Sequence, residues 1–225
     1  MHPLRPSTSI PDMKPLTTYL FDLDGTLLDS IRLILDSYHH TLKVHGHPAR
    51  SDAFWLAGIG TPLRVQFKEW AHDTAVMDQM VATYRDFNLG NHDTMAAAYP
   101  DVVPSVKELA ARGVNLGIVT SKNRAGAERG LTLMGLEKEF SLIIGADDVV
   151  NPKPHPEPVL KGLAHFGVGA DEAVYIGDSV HDMHAGRAAG VRTAAVLWGP
   201  FRRPDLEGTK PDHWLERPGD LLALR

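Results

Sequence analysis

Two carboxylates one residue apart close an apolar run in Leu20-Phe21-Asp22-Leu23-Asp24-Gly25-Thr26-Leu27. Thr18-Tyr19-Leu20-Phe21 reads as a short buried strand, and Gly25 as the turn that stops it. Acids at the end of a buried strand are costly unless something uses their charge. A divalent cation and a phosphoryl group would use it, one carboxylate as ligand and nucleophile, the other as acid and base. The alternative is an Asx turn that merely closes the strand. Thr26 reads as a support for the loop rather than a participant in chemistry.

A second acidic group, Gly177-Asp178-Ser179-Val180-His181-Asp182, follows the apolar run Val174–Ile176. Asp182 stands four residues beyond Asp178, on the same face if a helix has begun. Together with Asp22 these acids offer an all-oxygen donor set that suits magnesium; helix capping by Asp178 or Ser179 is the competing reading. Lys153 lies between prolines in Asn151-Pro152-Lys153-Pro154-His155-Pro156. That stiff backbone suits a fixed positive charge beside phosphate oxygens. Thr120-Ser121 ends the run Leu116-Gly117-Ile118-Val119, where a hydroxyl and backbone N–H groups can hold an anion or simply cap the next helix. Lys122 and Asn123 are expected to be surface residues.

These groups need a scaffold that brings them to one place. Strands are expected at Leu116–Thr120, Leu142–Gly145, Val174–Gly177 and Thr193–Leu197. Helices are expected at about Pro104–Arg112, Arg124–Met134, Pro156–Phe166 and Asp182–Ala189. Short apolar strands alternating with helices predict a three-layer, doubly wound α/β fold with a mostly parallel sheet. Ligands gather at the carboxyl ends of such strands, and Asp22, Thr120, Lys153 and Asp178 all fall there. Residues 30–96 read as helix after helix. Ile31, Ile34, Leu35, Tyr38 and Leu42 keep helical spacing up to Gly46, and Met77, Met80, Val81, Tyr84 and Phe87 do so later. Gly58-Ile59-Gly60-Thr61-Pro62 is a loop between them, with Pro62 placed to open a helix. The expected organisation is a flexible leader over 1–15, an α/β core over 16–29 and 97–225, and an all-helical cap over 30–96 that sits above the rim.

Composition narrows the function further. A net charge of -5 argues against a nucleic-acid partner, and no stretch reaches the roughly 18–20 apolar residues of a membrane span. The chain has 0 cysteines, which removes disulfides, thiolate zinc sites and cysteine-nucleophile phosphatase chemistry and is compatible with a cytoplasmic protein. The oligomeric state leaves no trace in the sequence.

With the four groups in this order, the chain resembles the haloacid dehalogenase superfamily of phosphohydrolases. Phe21-Asp22-Leu23-Asp24-Gly25-Thr26 is similar to its first motif, Thr120 to the second, Lys153 to the third, and Gly177-Asp178 through Asp182 to the fourth. The helical insert resembles the small cap of the phosphoglycolate phosphatase branch. Gly117–Lys122, Tyr84-Arg85-Asp86-Phe87-Asn88 and Lys153–Pro158 look like its pyrophosphatase members. The resemblance implies that Asp22 attacks phosphorus to form an aspartyl phosphate, and that Asp24 protonates the leaving group and then activates water. It implies magnesium held by Asp22, the backbone carbonyl of Asp24 and Asp178, with Asp182 direct or through water. It also implies a phosphoryl group held by Thr120 and Lys153, with Ser121 as a further contact. The expected partner is a small phosphorylated metabolite or pyrophosphate.

Three other readings are open at this level. A phosphomutase of the β-phosphoglucomutase type would share the cap and the motifs. A receiver-like or phosphate-binding domain would have no need of Asp24 as acid and base. A zinc protein would use His39, His40, His45 and His47, which cluster at a helix end where solvated histidines are the simpler account. Thr61, Arg64 and the Gly58–Gly60 loop are candidates for substrate choice, whereas Trp55, Phe67 and Trp70 are expected to pack the cap.

Overall fold

The computed structural model describes residues 14–225, so most of the expected leader lies outside the described residues. Strand β1 (Thr18–Phe21) is buried along its whole length. It turns into the short β2 (Leu28–Asp29), and the helices α1 (Ile31–Val44), α2 (Asp52–Leu56), α3 (Leu63–Gln66) and α4 (Thr74–Met95) follow. β3 (Ala97–Ala98) pairs antiparallel with β2, so the helical insertion leaves and rejoins the chain through a two-stranded neck. The remainder alternates: α5 (Val102–Ala111), β4 (Asn115–Val119), α6 (Arg124–Met134), β5 (Leu142–Ile144), α7 (Glu157–Phe166), β6 (Ala173–Gly177), α8 (Val180–Ala189), β7 (Arg192–Val196), α9 (Arg203–Leu206) and β8 (His213–Leu215).

The main sheet has the order β5-β4-β1-β6-β7-β8, and every pair within it is parallel. Alternation along β1 explains the layers. Tyr19 and Phe21 join one apolar cluster with Val102, Val106 and Leu131 of α5 and α6. Leu20 joins the other, with Val159 and Leu163 of α7 and Ala185 of α8. A fully buried side chain such as Leu20 contributes about 1.5–3 kcal/mol, and β1, apolar on both faces, is therefore fixed at the centre. The four downstream strands expected from the sequence lie within one residue of their expected limits. β8 was not expected: it is three residues long and begins with His213, too short for a pattern to be visible. The two-residue neck strands were missed for the same reason.

The helical insertion packs around a cluster of its own. Tyr38 and Leu42 of α1 meet Met80 and Tyr84 of α4, with Trp55, Phe67 and Trp70 between them. Tyr38 stacks on Trp55 with ring centroids 4.3 Å apart. The aromatics expected to pack this segment do so. α1 stops just before Gly46, which adopts φ 72°. Among the described residues no helix is long and apolar enough to cross a membrane.

Candidate active site

β1 ends at Phe21, and the backbone N–H of Asp22 donates to the carbonyl of Ile176 at 2.9 Å. This places Asp22 at the carboxyl edge of the two central strands. The loop then folds tightly: the N–H groups of Leu27 and Leu28 both donate to the carbonyl of Leu23 at 2.9 Å. Gly25 sits in this turn at φ 84°, and a Cβ there would lie 2.6 Å from Asp178 Oδ2. Only glycine allows both the left-handed backbone and the close approach of the second acidic loop. The turn carries Asp24 out of the strand direction, so Asp22 and Asp24 both line one cavity.

Asp178 follows β6, and Asp182 lies in the first turn of α8. Ser179 caps that helix as the competing reading anticipated. Its Oγ accepts from the Asp182 N–H at 3.3 Å, and Asp182 Oδ2 accepts from the Ser179 N–H at 3.0 Å and from its hydroxyl at 2.6 Å. The other oxygen, Oδ1, accepts from Lys153 Nζ at 2.6 Å and lies 3.0 Å from the hydroxyl of Tyr175. Capping and a site role thus coexist in one side chain. Thr26 supports the loop as expected, its hydroxyl donating to Asp178 Oδ1 at 3.1 Å. The indole N–H of Trp198 donates to the carbonyl of Thr26 at 2.8 Å and pins the same loop from β7's side.

Asp22, Asp178 and Asp182 are all buried and each offers an oxygen within 4.8 Å of the others. One cation answers them from within the protein: Lys153, 2% exposed, with Nζ 3.1 Å from Asp22 Oδ1 as well as 2.6 Å from Asp182. Burial pushes the Asp22 carboxyl up to about 7, with Asp182 and Asp24 adding to the rise and Lys153 opposing it. Burial also lifts Asp178 well above the ordinary carboxylate range, again reinforced by Asp182 and Asp22. Asp182 goes the other way: against burial, the Lys153 ammonium and the Ser179 donors hold it low. Asp182 and Lys153 therefore form the ion pair, and Asp22 and Asp178 are the acids left short of positive charge.

That shortage bears directly on metal binding. Asp22 Oδ1 and Asp178 Oδ2 are buried without a hydrogen-bond partner among the described residues, the Lys153 ammonium lying close to the former but outside hydrogen-bond direction. Orphaned buried carboxylate oxygens are costly. Three buried carboxylates against one ammonium leave a deficit that one divalent cation cancels. An all-oxygen set of this kind fits a hard cation. The histidines of α1 and its C-cap are engaged separately: His39 with Asp52 at 2.7 Å, His45 with Thr83 at 2.9 Å, and His40 stacked on Phe87.

Thr120 follows β4, 5% exposed, and lines the same cavity. Its Oγ accepts from the Lys122 N–H at 3.2 Å, and its own O–H has no acceptor among the described residues. Ser121 lines the cavity too, and its hydroxyl donates to the carbonyl of Gly60 at 2.5 Å, tying the core to the helical insertion. Lys122 corrects the sequence reading. It is not a surface residue, since its side chain is 12% exposed and Nζ donates to Asp24 Oδ1 and Oδ2 at 3.0 and 3.1 Å. Ser30 completes the setting of Asp24. It stands at the N-cap of α1 but makes no cap bond, its hydroxyl donating instead to Asp24 Oδ1 at 2.5 Å. A side-chain cap is worth about 1 kcal/mol, and here that hydroxyl is diverted to the site.

The cavity, about 320 Å³, lies between this rim and the helical insertion, with Asp22, Asp24 and Thr120 on one side and Tyr38, Val81 and Tyr84 on the other. Thr61 lines it, as does Arg64, which is paired with Asp78. The arrangement offers a carboxylate at its base, a second carboxylate held by a hydroxyl and an ammonium, a free hydroxyl proton and a buried lysine. Those are the parts needed to receive a phosphoryl group.

A sequence profile described as haloacid dehalogenase-like hydrolase matches residues 19–196. A protein of Anoxybacillus flavithermus named pyrophosphatase PpaX is 42% identical over 212 residues, covering 93% of this chain and 96% of that protein. A protein of the same name from Bacillus pumilus is 43% identical over 210 residues, with 93% and 96% covered. Among solved structures, a haloacid dehalogenase-like hydrolase of Streptococcus pneumoniae superposes with a TM-score of 0.80 at 27% identity, covering 92% of this chain and 97% of that one. A protein of Lactobacillus plantarum assigned as a phosphoglycolate phosphatase superposes with a TM-score of 0.83 at 28% identity, covering 94% and 100%.

Proposed function

This chain belongs to the haloacid dehalogenase-like hydrolases, and on that premise we propose that it is a magnesium-dependent phosphohydrolase that passes the phosphoryl group of a small phosphate through Asp22. Pyrophosphate is the substrate favoured, because relatives at 42% and 43% identity over nearly the full chain carry the name pyrophosphatase. The observation that carries the metal and nucleophile assignment is the pair of partnerless buried oxygens on Asp22 and Asp178 beside Lys153.

In this reading Asp22, Asp178 and the backbone carbonyl of Asp24 hold magnesium, with Asp182 direct or through water. The ion, when bound, neutralises the charge of the transferring phosphoryl oxygens and of the carboxylates beneath them. Asp22 Oδ attacks phosphorus, a bond forms to it, and the bond from phosphorus to the leaving oxygen breaks. The carboxyl of Asp24 gives its proton to that oxygen. Asp24, now a carboxylate steadied by Lys122 and Ser30, takes a proton from water as the water attacks the aspartyl phosphate. Phosphate leaves and Asp22 is restored. Lys153 and Thr120 hold the phosphoryl oxygens, and Asp182 and Tyr175 hold Lys153 in place. Ser121, bonded to Gly60, serves the closure of the helical cap over residues 30–96 as well as any phosphate contact. A cytoplasmic location belongs to the same proposal, in keeping with the cysteine-free composition.

The test is phosphate release from pyrophosphate by the purified chain. Turnover with magnesium that stops in excess chelator is the expected result. Turnover that persists in chelator would remove the metal from the account, and failure to release phosphate from pyrophosphate at any magnesium concentration would remove the substrate.

A further inference from the structure

We infer that Arg85, on the cap helix α4, holds a second anionic group of the substrate, one carried by the leaving group. The inference rests on the phosphohydrolase reading above and adds the side chain that recognises the leaving group.

Among the described residues, three cationic side chains line the cavity: Arg64, Arg85 and Lys122. Two are already matched by carboxylates. Arg64 pairs with Asp78, and Lys122 with Asp24. Arg85 makes no ion pair or hydrogen bond among the described residues; of the acids that line the cavity, Asp24 is paired with Lys122 and Asp22 stands 3.1 Å from Lys153 Nζ. Much of the facing cap wall is apolar or aromatic, with Ile34, Tyr38, Val81 and Tyr84. An uncharged leaving group would need no arginine at the edge of such a wall. A leaving phosphate or carboxylate would, and a guanidinium presents the planar fork that such groups accept.

The helix that carries Arg85 is anchored next to it. Asn88, one turn further along α4 on the same side, is buried and donates to Ser37 Oγ at 3.1 Å. Asn123, at the head of α6, lines the cavity from the core. A distal anion at Arg85 therefore lies between the two halves of the molecule, where binding it would favour the closed cap.

The experiment compares pyrophosphate, phosphoglycolate and phenyl phosphate with magnesium, in the wild type and in Arg85→Gln and Arg85→Lys. Phenyl phosphate has a leaving group without an anion. Arg85 is exposed at its surface position, so both variants are expected to fold. Arg85→Gln is expected to lower kcat/KM for pyrophosphate, phosphoglycolate or both by about tenfold or more relative to phenyl phosphate, with Arg85→Lys recovering part of the loss. A relative loss confined to one of the first two identifies the distal group as phosphate or carboxylate. A ratio that does not move, whether all three rates fall together or none falls, overturns the inference and leaves the phosphohydrolase reading standing. A wild type that releases phosphate from none of the three overturns both.

Discussion

Lys153 donates to Asp182 at 2.6 Å in a place where neither side chain is more than 1% exposed. The lysine also stands 3.1 Å from Asp22, so one ammonium serves two of the three buried acids. Removing one partner from a buried pair leaves an uncompensated charge, at a cost of about 3–5 kcal/mol. Lys153→Met is expected to lose stability on that order in the metal-free protein, and magnesium is expected to return part of it. Urea unfolding with and without magnesium checks this. Unchanged stability in the variant would mean that Asp182 is not held charged by Lys153.

The elevated Asp22 carboxyl has a consequence for pH. Its folded value, about 7, lies above the ordinary 3.8. A raised acid favours the folded state fully below its unfolded value and loses that contribution as pH rises through the folded one. The metal-free protein is therefore expected to lose stability between about pH 4 and about pH 7 on account of Asp22. A divalent cation binds the ionised form, so its stabilising effect is expected to grow over the same window. Thermal unfolding scans across it, with magnesium and with chelator, should diverge as pH rises. Parallel curves would contradict the assignment of Asp22 as a ligand.

Asp24 is held by Ser30 and Lys122 together. Asp24→Asn keeps the shape but cannot shuttle a proton, and kcat is expected to fall by about 10²–10⁴. Lys122→Met, which removes only a support, is expected to cost less, with the fold preserved in both. Steady-state kinetics at saturating magnesium decide the order. A Lys122 variant as impaired as the Asp24 variant would make the lysine a direct participant.

The acidic loop after β1 was legible in the sequence because it is local. An apolar strand, two acids and a turn glycine announce themselves within eight residues, and the α/β rhythm from Leu116 onward places the other three groups on the same rim. Asp182 was legible as an acid, but its division between a helix cap and Lys153 depends on how α8 meets the loop before α7. Lys122 looked like any loop lysine. Its role follows from the distance between the end of β4 and the turn after β1, which only the packed sheet sets. Tyr175 read as one more strand residue, since nothing in Val174–Ile176 tells which side chain lies beneath Lys153. Ser121 is legible as a polar residue at a strand end, but its bond to the Gly60 carbonyl, 61 residues away in sequence, leaves no local pattern. What escapes a reading of one chain is the long-range polar pairing, and the short edge and neck strands that carry too few residues to show a period.

Covalent capture at Asp22 tests the account most directly. Pyrophosphate labelled in phosphorus is mixed with excess enzyme and magnesium, quenched in acid within a single turnover, and the peptides are mapped. The label is predicted on the peptide containing Asp22, and Asp22→Asn is predicted to carry none and to release no phosphate. Phosphate release at full rate by Asp22→Asn, or label on a peptide that lacks Asp22, would contradict the account.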